Sequence, residues 1–223
     1  MSAEQRIRGE LHPGVFPWAC QSWLHAEALA TLAELNEQCL ELLCAQAAAP
    51  AHPRPALLAQ LEPLWSGLDA DARRRAARCP FLLVDAGFTH AADLPWGMPI
   101  TVCDREPPQA RAAFFTVPRA IEVARLVLAY AWHLARSERA AARLFLGLPA
   151  RCAERMAACS LRQAIEAAES EPGLLRPRWS DRLGVWRELL RAGASGESSA
   201  MDRFRTHGLQ LLAAEALAGS KQP

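Results

Sequence analysis

Three side chains in this 223-residue chain have the types and the closeness that acid–base chemistry requires. Asp85, Thr89 and His90, an acid, a hydroxyl and an imidazole, follow directly on the apolar run at 81–84. Proton transfer needs such groups within hydrogen-bond reach of a reacting atom. The sequence places no nucleophile or metal partner beside them, so the expected arrangement is a turn held by side-chain-to-backbone hydrogen bonds. There is no Gly-rich phosphate loop, Gly-x-Ser-x-Gly elbow, His-Glu-x-x-His or dinucleotide fingerprint, and no catalytic residue is assigned. The seven cysteines, Cys20, Cys39, Cys44, Cys79, Cys103, Cys152 and Cys159, are odd in number and contain no Cys-x-x-Cys pair. Zinc sites show closely spaced ligand pairs, so no metal and no cofactor are expected. Set mostly among Ala and Leu, these cysteines read as small buried side chains in a reducing compartment. His133, inside the apolar run 126–135, is expected to be a core histidine bonded to backbone.

A second set of residues has the types that bind nucleic acid. Residues 149–170 read as two short helices joined by a tight connection, the size and order of a helix-turn-helix. Pro149 suits the first turn of the first helix, on which Arg151 and Arg155 would reach backbone phosphate. Ser160 with Gln163 is a capping-box pattern that opens the second helix. It places Arg162 and Gln163, a basic and an amide side chain, in the turn where base edges are read. Arg176 and Arg178 add positive charge downstream, as do Arg182 and Arg187, while Glu166 and Glu169 oppose it. Residues 143–191 hold 9 Arg and 6 acids, a mild excess that implies salt-sensitive binding.

These residues need elements to hold them. About half the residues are apolar and 22% are charged, the composition of a folded domain with a sizeable core. The net charge is +1, yet residues 1–115 carry 9 Arg and 13 acids, and residues 116–223 carry 16 basic residues and 11 acids. The second half is therefore the place for an anion-binding surface. The expected fold is mainly α: an irregular multi-helix bundle with a helix-turn-helix-like pair in the C-terminal half. Residues 1–18 read as an irregular arm. From 19 to 48 the pattern is helical, with Ala28, Leu32, Leu35, Cys39 and Leu42 forming a short heptad seam. That seam would pack on this chain's own core or on a partner helix. Glu27, Glu34 and Glu41 mark a solvated stripe. After the proline-rich break at 50–55, Asp69 caps a helix that stops before Pro80, and Arg73–Arg75 form a solvated face.

Residues 1–88 are thus an N-terminal helical region, and the Pro-rich stretch 89–115 is a loop or linker and the best domain boundary. Residues 116–192 are a helical domain, capped at Thr116, with 126–135 apolar on all sides and in the core, and with Gly147 ending a helix. Residues 193–223 are a Gly/Ser-rich linker and a final helix. The longest apolar run, ten residues, is too short for a bilayer, which needs about 20, and no secretory h-region is visible. A cytoplasmic protein without membrane insertion is expected.

The stretch from Leu126 to Trp179 resembles the core of the FlhD family of flagellar transcriptional activators. The likeness runs through a long apolar helix, an Ala-rich turn, Leu-Gly-Leu at 146–148, a short helix ending in Met156 and Ala157, and Ser160-Leu161-Arg162-Gln163 opening the next. It continues through Glu169 and the Leu174–Leu175 pair. It covers about a quarter of the chain. It implies an α-helical, dimeric DNA-binding regulator that works with a protein partner, reading DNA through residues 160–170. The alternative is a non-catalytic helical adaptor or assembly protein. Cytosolic accessory subunits of type III secretion machines, of the SctK type, are similar in size and in their leucine- and tryptophan-rich texture. Expected partners are DNA in the first case, and in the second other proteins or a second copy, met through helical surfaces.

Overall fold

The computed structural model describes the backbone of residues 17–49, 54–88, 113–171 and 173–219, and the side chains of all of these except 17–25 and 218–219. Thr89, His90, Cys103 and most of the 89–115 and 1–18 segments lie outside the described residues, and so does the side chain of Cys20. The fold is mainly α, as expected. Ten helices are joined by one two-stranded sheet among the described residues.

Helix α1 (Pro17–Ala48) buries Leu32, Leu35, Cys39 and Leu42, so the heptad seam is packed within this chain. It lies against α3 (Glu62–Ser66), α4 (Ala70–Ala77) and α5 (Arg119–Ser137). Between α1 and α3, α2 (Ala56–Gln60) offers the Leu57 carbonyl to Trp65 Nε1 at 3.1 Å. The N-terminus of α4 is capped as its sequence predicts: Asp69 Oδ1 accepts from Ala72 N at 2.7 Å. Asn36, fully buried on α1, reaches the bend that follows α4. Its amide nitrogen donates to Ala77 O at 3.1 Å and Phe81 O at 2.9 Å, and its oxygen accepts from Leu83 N at 2.9 Å.

The apolar run leads into a short strand, β1 (Val84–Ala86). It pairs antiparallel with β2 (Leu175–Pro177), placing Asp85 opposite Arg176. The second half continues as α5, α6 (Arg139–Leu146), α7 (Ala150–Ala158), α8 (Leu161–Ser170), α9 (Leu183–Ser195) and α10 (Ser198–Gly219). Gly147 ends α6 at φ 64, and a Cβ there would sit 2.6 Å from the Arg178 guanidinium. Both the backbone angle and the close approach require glycine.

Several expectations are corrected. One core contains residues from both sides of 89–115: α4 packs on α9, β1 pairs with β2, and Phe114 and Phe115 are themselves buried in an edge-to-face pair. The segment therefore does not separate two independently cored domains. The stretch 193–199 is no linker. α9 runs on to Ser195, and Gly193 is buried because α9 approaches α4 so closely that a Cβ would meet Ala72 O and Ala76 Cβ at 3.0 Å. Only Gly196, at φ 72, and Glu197 separate α9 from α10.

Thr116 does not cap α5. Its N–H donates to Gln46 Oε1 and its hydroxyl accepts from Gln46 Nε2, both at 3.0 Å, tying it to the end of α1. Arg73 and Arg75 are half-buried and donate to the carbonyls of Leu68 and Gly193, so only Arg74 belongs to a solvated face. The run 126–135 is amphipathic rather than buried all round: Leu126 is 46% exposed and His133 is exposed.

A chain cleaved by limited proteolysis within 89–112 should keep its two pieces together on gel filtration and separate them only in denaturant. Two folded pieces eluting apart would restore the two-domain arrangement.

Candidate functional site

The helix pair singled out by sequence is built on α5. Trp132 Nε1 donates to Cys159 O at 2.9 Å, and Arg136 donates to Ala157 O at 3.0 Å with its guanidinium carbon 5.0 Å from the Trp132 ring centre. These donors satisfy carbonyls at the C-terminal end of α7, where a cation is also favoured by the helix dipole. They fix the two-residue turn Cys159–Ser160. There the predicted capping box is complete: Ser160 Oγ accepts from Gln163 N at 3.2 Å, and Gln163 Oε1 accepts from Ser160 N at 2.8 Å. α8 then lies along α5 on Ala164, Ala167 and Ala168, all buried. Alanines permit close approach, which is why this face of α8 carries no larger side chain. α7 and α8 each lean on α5 more than on one another.

The outward first turn of α8 is open. Ser160, Leu161, Arg162 and Gln163 are all exposed. Its charge is matched internally, however. Arg162 Nε is 2.6 Å from Glu166 Oε1 one turn along, and Arg125 of α5 is 2.7 Å from Glu169. The Glu166 carboxylate raises the pKa of the Arg162 guanidinium above its usual value. Of the remaining predicted phosphate contacts, Arg151 is exposed on α7, and Arg155 and Arg176 are half-buried.

Arg178 is a correction. It is only 4% exposed, because its guanidinium is committed to the core. One nitrogen donates to Leu146 O at 2.6 Å, at the C-terminus of α6, and another lies 3.5 Å from Glu215 Oε2 of α10. A group held this way has no face left for DNA. The predicted residues Arg151, Arg155, Ser160, Arg162, Gln163 and Arg176 remain on or near the surface of this half.

Asp85 does what its turn reading predicts. Its carboxylate accepts from Phe88 N at 2.8 Å. Among the described residues no group of three His, Cys, Asp or Glu side chains is placed to hold a metal, and no helix is long and apolar enough to cross a membrane.

Sequence reasoning missed a groove of about 390 Å³ between α1 and α5, lined by Glu34, Glu37, Gln38, Glu122, Val123 and Leu126 and closed at one end by the Arg119–Glu41 pair at 2.9 Å. Glu34, Glu37 and Glu122 have no ion-pair partner among the described residues, although helix-surface acids such as Asp71, Glu166 and Asp202 do. The available signal was the helical spacing of Glu122 and Leu126, the second of which opens the run that looks apolar throughout. Comparison with protein-family models, with curated proteins and with solved structures gives no match to this chain.

The buried thiols behave as core side chains. Burial raises Cys39 well above the ordinary thiol range and pushes Cys79 and Cys152 up to about 12. Little thiolate then exists at neutral pH, and thiolate is the reactive form. A thiol reagent at pH 7 should leave Cys39, Cys79 and Cys152 unmodified in the folded chain and label all three in urea, as read by peptide mass mapping. Rapid labelling of Cys39 without denaturant would mean that the α1 seam opens in solution.

Proposed function

We propose that this chain is a non-catalytic helical adaptor or assembly protein, of the kind represented by the cytosolic accessory subunits of type III secretion machines (SctK type). The carrying observation is the α1–α5 face. There an open groove combines a half-exposed leucine, Leu126, with the carboxylates of Glu34, Glu37 and Glu122. An apolar contact ringed by polar groups is the ordinary anatomy of a protein interface. The charge suits a partner segment that is basic and amphipathic, its apolar side chain meeting Leu126 and its cations meeting the carboxylates. A cytoplasmic setting agrees with the free thiols of Cys39, Cys44, Cys79, Cys152 and Cys159.

One observation favours a second reading, an FlhD-like regulator that binds DNA through residues 160–170. The capped first turn of α8 is exposed, with Arg162 and Gln163 outward and Arg151 exposed on the preceding helix. The carboxylates of Glu166 and Glu169 weigh against it, since each must be brought close to phosphate or lose its arginine.

The two readings separate in one experiment. A photo-crosslinking residue at position 126 should yield discrete protein adducts in the source cells. Glu34→Lys with Glu37→Lys should lower that yield at least tenfold, while genomic DNA capture stays weak and unchanged by Arg162→Glu. Absence of adducts at 126, with selective DNA capture that survives moderate salt and is lost in Arg162→Glu, would overturn the adaptor reading and establish the regulator.

A further inference from the structure

Several cross-links in the body of the protein are made without α10, whose Met201, Phe204 and Leu212 add to the same core. Gly193 of α9 sits against Ala72 and Ala76, and Arg75 Nε donates to Gly193 O at 2.8 Å. Leu82 N donates to Phe145 O at 2.8 Å, Arg178 N donates to Leu83 O at 2.9 Å, and β1 pairs with β2. Trp186 Nε1 donates to Arg178 O at 2.8 Å, with its ring 5.7 Å from that of Trp65. No bond in this set passes through α10.

The attachment of α10 is a single stripe. Met201, Phe204, Gly208 and Leu212 are buried, while Asp202, Arg203, Thr206, Gln210, Ala213 and Ala214 are exposed. At Gly208 the Phe81 ring lies so close that a Cβ would come within 2.1 Å of it. Among the described residues its polar links include Arg205 Nε to Arg78 O at 3.0 Å, His207 Nδ1 to Glu188 at 2.8 Å, and Glu215, which accepts from Trp179 Nε1 at 2.6 Å and lies beside Arg178.

Trp179 is at φ 54, in the left-handed region that a bulky residue occupies only under constraint. Its indole is held by Glu215 and by Phe81, 5.7 Å away edge-on. One of these contacts belongs to α10 and the other is pressed beneath it. The connection to α9 is the Gly196–Glu197 turn, with Gly196 at φ 72.

We propose that α10 is a releasable strap. It is hinged at 195–197 and latched by Phe81 against Gly208 and by Glu215 on Trp179, and it opens as a unit while the rest of the chain stays folded. Release uncovers the faces of Phe81 and Trp179 and lets the Trp179 backbone leave its constrained conformation. Native-state hydrogen exchange of the full chain, read by mass spectrometry, tests this. Amides at 201–215 should exchange together, before those at 123–135. They should exchange at least tenfold faster again in Gly208→Ala and Glu215→Ala, with 123–135 unchanged. Should Gly208→Ala fail to fold, the wild-type ordering and the half-exposed Glu215 position still decide. Exchange of 201–215 only together with 123–135, or equal acceleration of both regions in Glu215→Ala, would overturn the strap.

Discussion

The carboxamide of Asn36 is the interaction on which the remainder of the structure depends. Buried on α1, it makes three hydrogen bonds to the bend between α4 and β1, with Ala77, Phe81 and Leu83. Each backbone group would otherwise be desolvated without a partner, at about 1–3 kcal/mol apiece. The bend it holds is where the second half attaches. Leu82 N bonds to Phe145 O at the end of α6, and Leu83 O accepts from Arg178 N. Val84 begins the strand that pairs with β2, and Phe81 supports α10 through Gly208. A single amide thus positions the segment that joins the two halves into one core.

A related economy governs the surface. α5 serves as a platform: its inner face is in the core, Trp132 and Arg136 hold the end of α7, and Arg125 pairs with Glu169 on α8. The arginines of the second half are thereby partly consumed in building it, Arg178 most completely. The excess of basic residues in the sequence does not translate into an equal excess of free positive surface. The carboxylates of the α1–α5 groove lie in the half of the sequence with more acids than bases, or next to it, and three of them have no ion-pair partner among the described residues.

The features legible in the sequence are those decided within a few residues. The Ser160–Gln163 capping box, the Asp69 cap, the Gly147 helix end and the α1 seam all follow from local geometry and helical period. The features that were hidden depend on distant partners. β1 and β2 are three residues each and lie some ninety positions apart, so neither has a period to read. Arg178 looks like any surface arginine until Gly147 makes room for it and Glu215 accompanies it. Gly193 and its small neighbours resemble a linker because their role, close packing on α4, belongs to another segment. At Leu126 and His133 the run of apolar neighbours conceals an outward stripe. Asn36 is one polar residue on a long Ala- and Leu-rich helix, and its function is set by a bend more than forty residues away.

The central claim is tested most directly by urea unfolding of Asn36→Asp, which changes the donor facing Ala77 O and Phe81 O into an acceptor. At pH 7 the buried carboxylate opposes two carbonyl oxygens, and the variant should lose at least about 3 kcal/mol of stability. In the folded state the carboxyl titrates above its unfolded value of about 3.9, so the penalty grows as the pH rises from there toward the folded-state value. It shrinks as the pH falls and the neutral acid becomes able to donate. A variant within about 1 kcal/mol of the wild type at pH 7 would show that the bend stands without the amide, and would contradict this account.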